Sequence, residues 1–296
     1  MYKKDATSLK RLSHHATMMF ISLLGAAAAY QALGGHVGSA GATHRLITPQ
    51  MAMHVRQVVH RVAALQPVST FYQECFGFKE LSSNGGRTRL GSGAERALCV
   101  ELLDAGTGYD PTGGYRGLHV RVPSVADALS AVEQHGGSVV SRATTFEYGP
   151  SLEPDEDEES TTPVLEALVA DPSGYPLRLW EAEGATTALS TIRLDVLSWK
   201  KSVAWYEETG GLTKLRWASM VPKEAAILVT MGPQMDPLAL GPCGPLGNEE
   251  RAVVQLQYKY SVESIDGDGG LDALVLGGKG EGSEETDLDN YKVRFE

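Results

Sequence analysis

The sequence has few of the residues that hold small secreted domains and zinc modules together. Its 296 residues include three cysteines, Cys75, Cys99 and Cys243, and no two of them form a C-x-x-C pair. This odd, widely spaced set argues against a disulfide framework and a cysteine zinc cluster, so we interpret all three as reduced thiols. The 42% of hydrophobic residues is enough for one large or two modest globular domains.

Positive charge and long apolar runs are also scarce. The net charge of −11 disfavours a general attraction to nucleic acid or anionic lipid. The main apolar run, from Met18 to Tyr30, is shorter than the roughly 20 residues that span a bilayer. The sequence therefore predicts no nucleic-acid partner and no membrane span in the mature protein.

Acidic residues are absent between Ala6 and Gln73, which separates the chain into two parts of opposite charge. Residues 1–73 carry a net charge of +6, and the remainder carries −17. Lysines and arginines precede the apolar run, and an acid-free segment follows it, a layout typical of a secretory signal followed by a transit peptide. We interpret residues 1–52 as a targeting extension that directs the protein to an organelle, a plastid in particular. The alternatives are a poorly ordered N-terminal arm and a misjudged start codon.

The rest of the chain repeats itself. Residues 57–81 resemble residues 191–215 at a constant offset of 134 residues, which aligns Tyr72 with Tyr206. Each copy predicts a strand, then a helix with a buried aromatic pair, then a glycine that ends the helix.

The repeat continues after an insertion in the second copy. At the following strands the offset is 154 residues, so that Glu101 corresponds to Gln255. The 20 added residues centre on the stretch MGPQMDPLALGPCGPLG, whose proline and glycine content predicts a loop.

A second unit of strand, helix and strands lies between the two copies. It consists of the strand GLHVRV, a helix that Ser124 caps, and the hairpin VLEALVADPSGYPLRLWE with DPSG as its turn. A fourth unit should follow Asp266, but only LDALVLGG and DNYKVRFE resemble strands. The fourth unit is therefore predicted to be truncated and to lack its helix.

Three segments in this order resemble the glyoxalase I branch of the vicinal-oxygen-chelate (VOC) superfamily. FYQECFGF resembles the first helix of that family, ADALSAVEQHGG its second helix, and ADPSGYPLRLWE its closing hairpin. The resemblance implies an α+β fold of paired βαβββ units in two tandem modules, 53–184 and 185–296, with a degenerate fourth unit. It also implies the conversion of the methylglyoxal–glutathione adduct to S-lactoylglutathione at a divalent metal, Zn or Ni.

The resemblance places four metal-ligand positions in the first module. Gln57 falls on the first and Glu101 on the second, and Glu101 is the candidate catalytic carboxylate. The third position falls on Gly117, with His119 two residues further along the same strand face as a substitute. The fourth falls on Arg178, which cannot bind a metal or accept a proton at neutral pH. The candidate metal ligands are therefore Gln57, Glu101 and His119.

The second module departs further from the family pattern. Its four positions fall on Thr191, Gln255, Ala273 and Arg294. In the two-module arrangement each site takes two ligands from each module. Site one therefore combines the first two positions of module one with Ala273 and Arg294, and site two combines the others. Neither set completes a coordination sphere of nitrogen and oxygen ligands.

Arg61 is the candidate substrate-binding residue, because it matches a family arginine that holds the carboxylate of glutathione. Residues 153–160, EPDEDEES, lie in a loop where the family often has lysine, so this acidic insert would repel the same anion. Arg178 and Arg294 occupy equivalent hairpin positions. They are predicted to pair with inward carboxylates or to bind an anion, and the alternative is two ordinary surface arginines.

Two functional hypotheses follow from this pattern. In the first, the protein has lost its metal site and is a ligand-binding or accessory subunit of a larger assembly, with the uncovered sheet of the fourth unit as a docking face. The alternative is an active lactoylglutathione lyase that binds the glutathione adduct and a divalent metal. Other chemistries of the superfamily, such as dioxygenases, need a His/His/Glu set that we do not find.

Overall fold

A computed structural model describes the body of the protein at side-chain level. The described residues are 53–94, 97–106, 109, 111, 113–148, 162–220, 225–235, 239–246, 251–265, 271–278 and 282–296. The predicted targeting extension, residues 1–52, and the acidic insert lie outside them. In the part described, none of the helices has the length and the apolar composition that a membrane crossing requires.

The residues that the structure describes form three helices and seventeen strands. The first half has β1 (His54–Val62), α1 (Leu65–Phe76), β2 (Lys79–Asn84), β3 (Arg87–Gly91), β4 (Cys99–Asp104), β5 (Tyr115–Val122), α2 (Val125–Gln134), β6 (Ser138–Tyr148), β7 (Thr162–Ala170) and β8 (Pro176–Glu181). The second half has β9 (Ala188–Val196), α3 (Trp199–Glu208), β10 (Thr213–Ser219), β11 (Ala226–Gly232), β12 (Leu240–Gly241), β13 (Gly244–Pro245), β14 (Val253–Lys259), β15 (Leu271–Gly277), β16 (Ser283–Thr286) and β17 (Lys292–Phe295).

The strands form two large sheets, each built from two units. The first sheet has the order β16-β17-β15-β1-β4-β3-β2, so the fourth unit completes the sheet of the first unit. The second sheet has the order β10-β11-β14-β9-β5-β8-β7-β6 and joins the second and third units. Each sheet is therefore built from one unit of each module, which is the predicted α+β fold of paired units. Each candidate site lies on one of these sheets.

The register of the sheets confirms the internal repeat. Val59 lies opposite Glu101 in the pairing of β1 with β4, and Arg193 lies opposite Gln255 in the pairing of β9 with β14. Glu101 and Gln255 therefore occupy equivalent positions, as the offset of 154 residues predicts.

The helices begin and end where the sequence indicates. The hydroxyl of Ser124 accepts a hydrogen bond from the backbone N–H of Asp127, 3.2 Å away, and so caps α2. Gly77 ends α1 with a φ of 68°, a left-handed conformation that glycine adopts at little cost. The aromatic side chains of Tyr72 and Tyr206 are buried, as the repeat predicts.

Two equivalent turns connect neighbouring units through hydrogen bonds. In the turn after β7, Asp171 accepts hydrogen bonds from the backbone N–H of Ser173 and Tyr175 and from the hydroxyl of Tyr72 on α1. Tyr175 in turn donates to the carbonyl of Arg61, 2.7 Å away. The closing hairpin thus bonds to both the helix and the strand of the preceding unit.

The fourth unit keeps the same turn although it lacks a helix. Asp287 accepts hydrogen bonds from the backbone N–H of Asp289 and Tyr291 and from the hydroxyl of Tyr206 on α3. Tyr291 donates to the carbonyl of Asp195, 134 residues after Arg61. None of the residues described after 265 is helical. The predicted truncation is therefore a loss of the helix and not of the closing hairpin.

The loss of this helix does not uncover the sheet. The apolar side chains Leu274, Leu276, Val293 and Phe295 are all buried. Gly210, two residues beyond the end of α3, lies beside one of them, since a Cβ built on it would be 3.4 Å from the Leu276 side chain. The described strands of the fourth unit therefore lack the open apolar face that the sequence predicts.

Candidate functional site

The first cleft lies on the face of the first sheet that carries Gln57 and Glu101. These residues lie on the adjacent parallel strands β1 and β4, and the Gln57 amide donates to Glu101 Oε2, 2.6 Å away. The other carboxylate oxygen of Glu101 pairs with Arg87, 3.0 Å away. The structure therefore brings the first two predicted ligands together, but both oxygens of Glu101 already accept hydrogen bonds.

The fourth unit supplies the other half of this cleft without a metal ligand. Ala273 is buried and packs with Val59 and Val275. Arg294 pairs with Glu284 on the adjacent strand, 2.7 Å away, and with Asp272, 3.2 Å away. The guanidinium of Arg294, at the fourth ligand position, therefore pairs with two carboxylates, as the sequence predicts for an arginine that pairs with inward-facing carboxylates.

Arg61 shares Asp272 with that cluster. Its Nε and Nη2 both donate to Asp272 Oδ1, at 2.8 and 2.6 Å. The guanidinium is therefore held by a carboxylate of this chain. It would have to exchange that partner to bind the carboxylate of a ligand.

The second cleft cannot hold a side chain at its third ligand position. Gly117 lies at an irregularity in the pairing of β5 with β9 and has a φ of +97°. A Cβ built on it would be 1.9 Å from the carbonyl oxygen of Pro176, closer than any real contact. His119, the predicted substitute, is fully buried, and its Nδ1 lies 3.2 Å from the carbonyl of Cys243.

The histidine in this cleft is neutral. Burial lowers the pKa of His119 well below its usual value, and the positive charges of Arg193 and Arg178 lower it further. Because a carbonyl can only accept, Nδ1 is the nitrogen that carries the proton and donates to Cys243. The buried Nε2 is then unprotonated, and it has no hydrogen-bond partner.

The remaining polar groups of the second cleft bond to one another. Arg178 pairs with Glu166, whose other oxygen accepts from the hydroxyl of Tyr148, 2.8 Å away. Arg193 donates twice to the Gln255 side-chain oxygen, at 2.9 and 2.6 Å. The arginine at the fourth position therefore pairs with a carboxylate here also, which confirms the equivalence of Arg178 and Arg294.

Five residues that form these ion pairs and hydrogen bonds are not among the site residues that the sequence predicts. They are Arg87, Glu166, Arg193, Cys243 and Asp272. Glu166 and Asp272 could be predicted as site residues from the sequence. Each is a carboxylate within an apolar strand, and a buried carboxylate needs a partner. Glu101 has the same need for a partner.

The two paired sheets define a protein of tandem VOC modules, and comparison with known proteins agrees. The profile of the Glyoxalase/Bleomycin resistance protein/Dioxygenase superfamily matches residues 54–179. Glyoxalase I from Zea mays has a TM-score of 0.65 with 20% identity, and the match covers 82% of this chain and 92% of that structure, a likeness of fold.

Two plant proteins are similar in sequence. The "Probable lactoylglutathione lyase, chloroplastic" of Arabidopsis thaliana is 26% identical over 229 residues, 74% of this chain and 58% of the relative. A protein of Brassica oleracea var. gemmifera, also named as a lactoylglutathione lyase, is 26% identical over 69% of this chain and 66% of its own length. The chain thus spans well under the full length of both relatives. It resembles glyoxalase I proteins of the VOC superfamily in sequence and in fold.

The residues present do not fit the divalent metal that this family generally uses. The first cleft offers one amide and one carboxylate, with Ala273 and Arg294 in the other two positions. Among the residues described in the second cleft, His119 offers an unpaired nitrogen, Nε2, and an arginine occupies the fourth position. Across the part of the chain that the structure describes, no three His, Cys, Asp or Glu side chains lie close enough to share a metal.

Proposed function

We propose that this protein is a glyoxalase I-like VOC protein that has lost its metal chemistry and is a ligand-binding or accessory subunit. One observation carries the proposal. In both clefts the position of the fourth ligand is an arginine, and each arginine is neutralised by carboxylates of the same cleft. A guanidinium is always protonated and accepts no hydrogen bond. It therefore repels a metal cation and cannot serve as a base.

The proposal includes an organellar location and a larger assembly. The acid-free extension supports a plastid, and the Arabidopsis relative carries the word chloroplastic in its name. An accessory subunit needs a partner to explain its role, so we propose that the protein is purified from its organelle within a larger protein complex.

The alternative, an active lactoylglutathione lyase, is favoured by the contact between Gln57 and Glu101. These two side chains lie 2.6 Å apart in the first cleft, at the positions of the first two family ligands. Arg61 lies on the same strand and would supply the anion contact for the glutathione adduct. In this case Zn or Ni would be the cofactor.

Metal analysis of the full chain separates the two. We expect the protein purified from its native organelle to hold far less than one divalent metal per chain by mass spectrometry, and to elute as part of a large particle. After incubation with Zn or Ni, it is expected to show no turnover of the methylglyoxal–glutathione adduct. The physical reason is that two donors and an arginine do not form a tight site.

Two variants sharpen this test. Glu101→Gln keeps the size of the side chain and a hydrogen bond to Gln57 but removes the charge, and Glu166→Gln makes the same change in the second cleft. One metal per chain together with turnover that Glu101→Gln abolishes and Glu166→Gln retains would establish the lyase instead.

A further inference from the structure

The insertion of the second module does not form an open loop. Residues 240–245 of the Pro/Gly-rich stretch form a short hairpin in which β12 pairs with β13, and all six of these residues are buried. This differs from the prediction of a loop, since loops lie on the surface where water satisfies their backbone. A buried hairpin of this composition must find its hydrogen-bond partners in the protein.

The partners are side chains of the second cleft. The carbonyl of Cys243 accepts from the hydroxyl of Thr191, 2.7 Å away, and from Nδ1 of His119, 3.2 Å away. The carbonyl of Pro242 accepts from the Gln255 amide, 2.9 Å away. The carbonyl of Pro245 accepts from Nη1 of Arg121, 3.0 Å away.

These donors lie on three different strands and converge on one peptide segment. His119, Thr191 and Gln255 are also the residues that the family resemblance assigns to the second ligand set. Each of the three donates a hydrogen bond to a backbone carbonyl of this segment. A cleft lined by hydroxyl, imidazole, amide and guanidinium donors selects a ligand with clustered neutral oxygen acceptors, which is what a peptide backbone offers.

The side chain of the hairpin fits the apolar half of the same cleft. Cys243 is fully buried and packs against Tyr148, Val164, Trp180, Met220 and Leu228. Burial raises the pKa of the Cys243 thiol to about 12, so the thiol stays protonated and is an apolar filler rather than a nucleophile. The hairpin therefore matches the cleft in both its polar and its apolar contacts.

We infer that the second sheet carries a peptide-carbonyl-binding cleft, and that its ligand is residues 240–245 of the same chain. The hairpin occupies this cleft permanently in the folded protein. Small molecules are thereby excluded from it. This inference does not depend on whether the first cleft is catalytic.

Gly244 provides the sharpest test, because it lies where the hairpin touches β9. A Cβ built on Gly244 would be 2.5 Å from Oγ1 of Thr191 and 3.1 Å from Ser190, at a φ of +140°. Gly244→Ala must therefore lift the hairpin from the cleft. Gly184→Ala is the matched control, since Gly184 also has a positive φ, +70°, but a Cβ there would meet no atom within 4 Å.

Labelling of cysteines in the full chain reports the state of the hairpin. The reagent is N-ethylmaleimide, and peptide mass spectrometry resolves each site. Cys99, buried in the first sheet, reports global unfolding, and the urea-denatured chain, in which all three thiols are exposed, gives the rate of unrestricted labelling. In the wild type we expect Cys243 to be as protected as Cys99. In Gly244→Ala the labelling of Cys243 is expected to rise at least tenfold while Cys99 does not change, and Gly184→Ala is expected to leave both unchanged.

Two results would overturn the inference. One is labelling of wild-type Cys243 at the rate measured in the urea-denatured chain, and the other is protection of Cys243 in a folded Gly244→Ala protein. If Gly244→Ala exposes Cys99 as well, Thr191→Val takes its place, because valine keeps the shape and removes only the hydroxyl donor. Thr191→Val is then expected to raise the rate of Cys243 labelling severalfold and to leave that of Cys99 unchanged. Equal rates of Cys243 labelling in Thr191→Val and in the wild type would refute a cleft that holds the hairpin by its carbonyls.

Discussion

Replacement of Gly117 by alanine is expected to destabilise the folded protein by about 3–5 kcal/mol, the largest effect of any single methyl group that the structure suggests. Gly117 has a φ of +97°, where an L side chain is strained, and its Cβ would lie 1.9 Å from the carbonyl oxygen of Pro176. The energetic cost of the strained φ adds to the cost of the backbone shift that relieves the close contact. Thermal denaturation should show a midpoint lowered by about 10 °C for a protein of this size.

Gly136→Ala is the control for this prediction. Gly136 also has a positive φ, +85°, but a Cβ there would have open space around it. Gly136→Ala is expected to lower the free energy of unfolding by only about 1–2 kcal/mol. Equal midpoints for the two variants would mean that the close approach of Gly117 to Pro176 has no energetic consequence.

The same contact predicts that simple substitution does not create a metal site in the second cleft. The family pattern has a histidine at the position of Gly117 and a glutamate at that of Arg178. A double substitution, Gly117→His with Arg178→Glu, is expected to disturb the pairing of β5 with β8 and to bind no stoichiometric metal, as measured by mass spectrometry. A folded double variant with one metal per chain would contradict this.

Much of the fold could be predicted from the sequence because the repeat is periodic and local. The offset of 134 residues predicts matching strands and helices, and Tyr72 and Tyr206 take equivalent places in the structure. The strand β16 could not be predicted in this way. Its sequence, SEET, has no apolar alternation and all four residues are exposed, so only its pairing with β17 makes it a strand.

The hairpin of residues 240–245 could not be predicted for a different reason. Its proline and glycine content correctly indicates a turn-rich segment. What buries it is a set of donors on β5, β9 and β14, and the nearest of these in the chain, Gln255, is ten residues away from its end. Local composition contains no information about such distant partners.

The candidate site could be predicted only in part. The residue types at the four ligand positions are enough to predict that neither metal site is complete. The ion pairs at these positions are not predictable from spacing alone. Asp272 reaches Arg61 because the register of β1 and β15 shifts at this point, where Val59 faces Ala273 but His60 faces Leu271. A β-bulge of this kind redirects a side chain, and the strand pattern does not predict it.

The buried turn at Asp171 is expected to make the stability of the protein depend on pH. Burial raises the pKa of the Asp171 carboxyl from 3.8 to about 7, although the N–H groups of Tyr175 and Ser173 and the Tyr72 hydroxyl oppose the shift. Between these two pH values the folded protein holds a proton that the unfolded chain has lost. This contribution to the free energy of unfolding is therefore complete below about pH 4 and decreases as the pH rises to about 7.

Asp171→Asn removes this titration and keeps a side chain of the same size. Relative to the variant, the wild type is expected to be more stable at pH 5 than at pH 8 by about 2–3 kcal/mol, since one pKa unit corresponds to about 1.4 kcal/mol. The measurement is urea denaturation of both proteins at each pH. Asp287→Asn is the matched variant in the fourth unit, and its effect should be smaller because burial raises the pKa of Asp287 only to about 6.

The comparison must be made between variants because a buried histidine acts in the opposite direction. His60 stacks on Tyr175, with ring centroids 4.0 Å apart, and burial lowers its pKa from 6.5 to about 3. Its contribution to stability is therefore lost as the pH falls from about 6.5 to 3, where that of Asp171 is gained. The two partly cancel in the wild-type curve, but the His60 contribution is the same in Asp171→Asn and disappears from the difference. A difference between wild type and variant that is constant from pH 5 to pH 8 would mean that the hydrogen bonds to Asp171 outweigh its burial and keep it ionised.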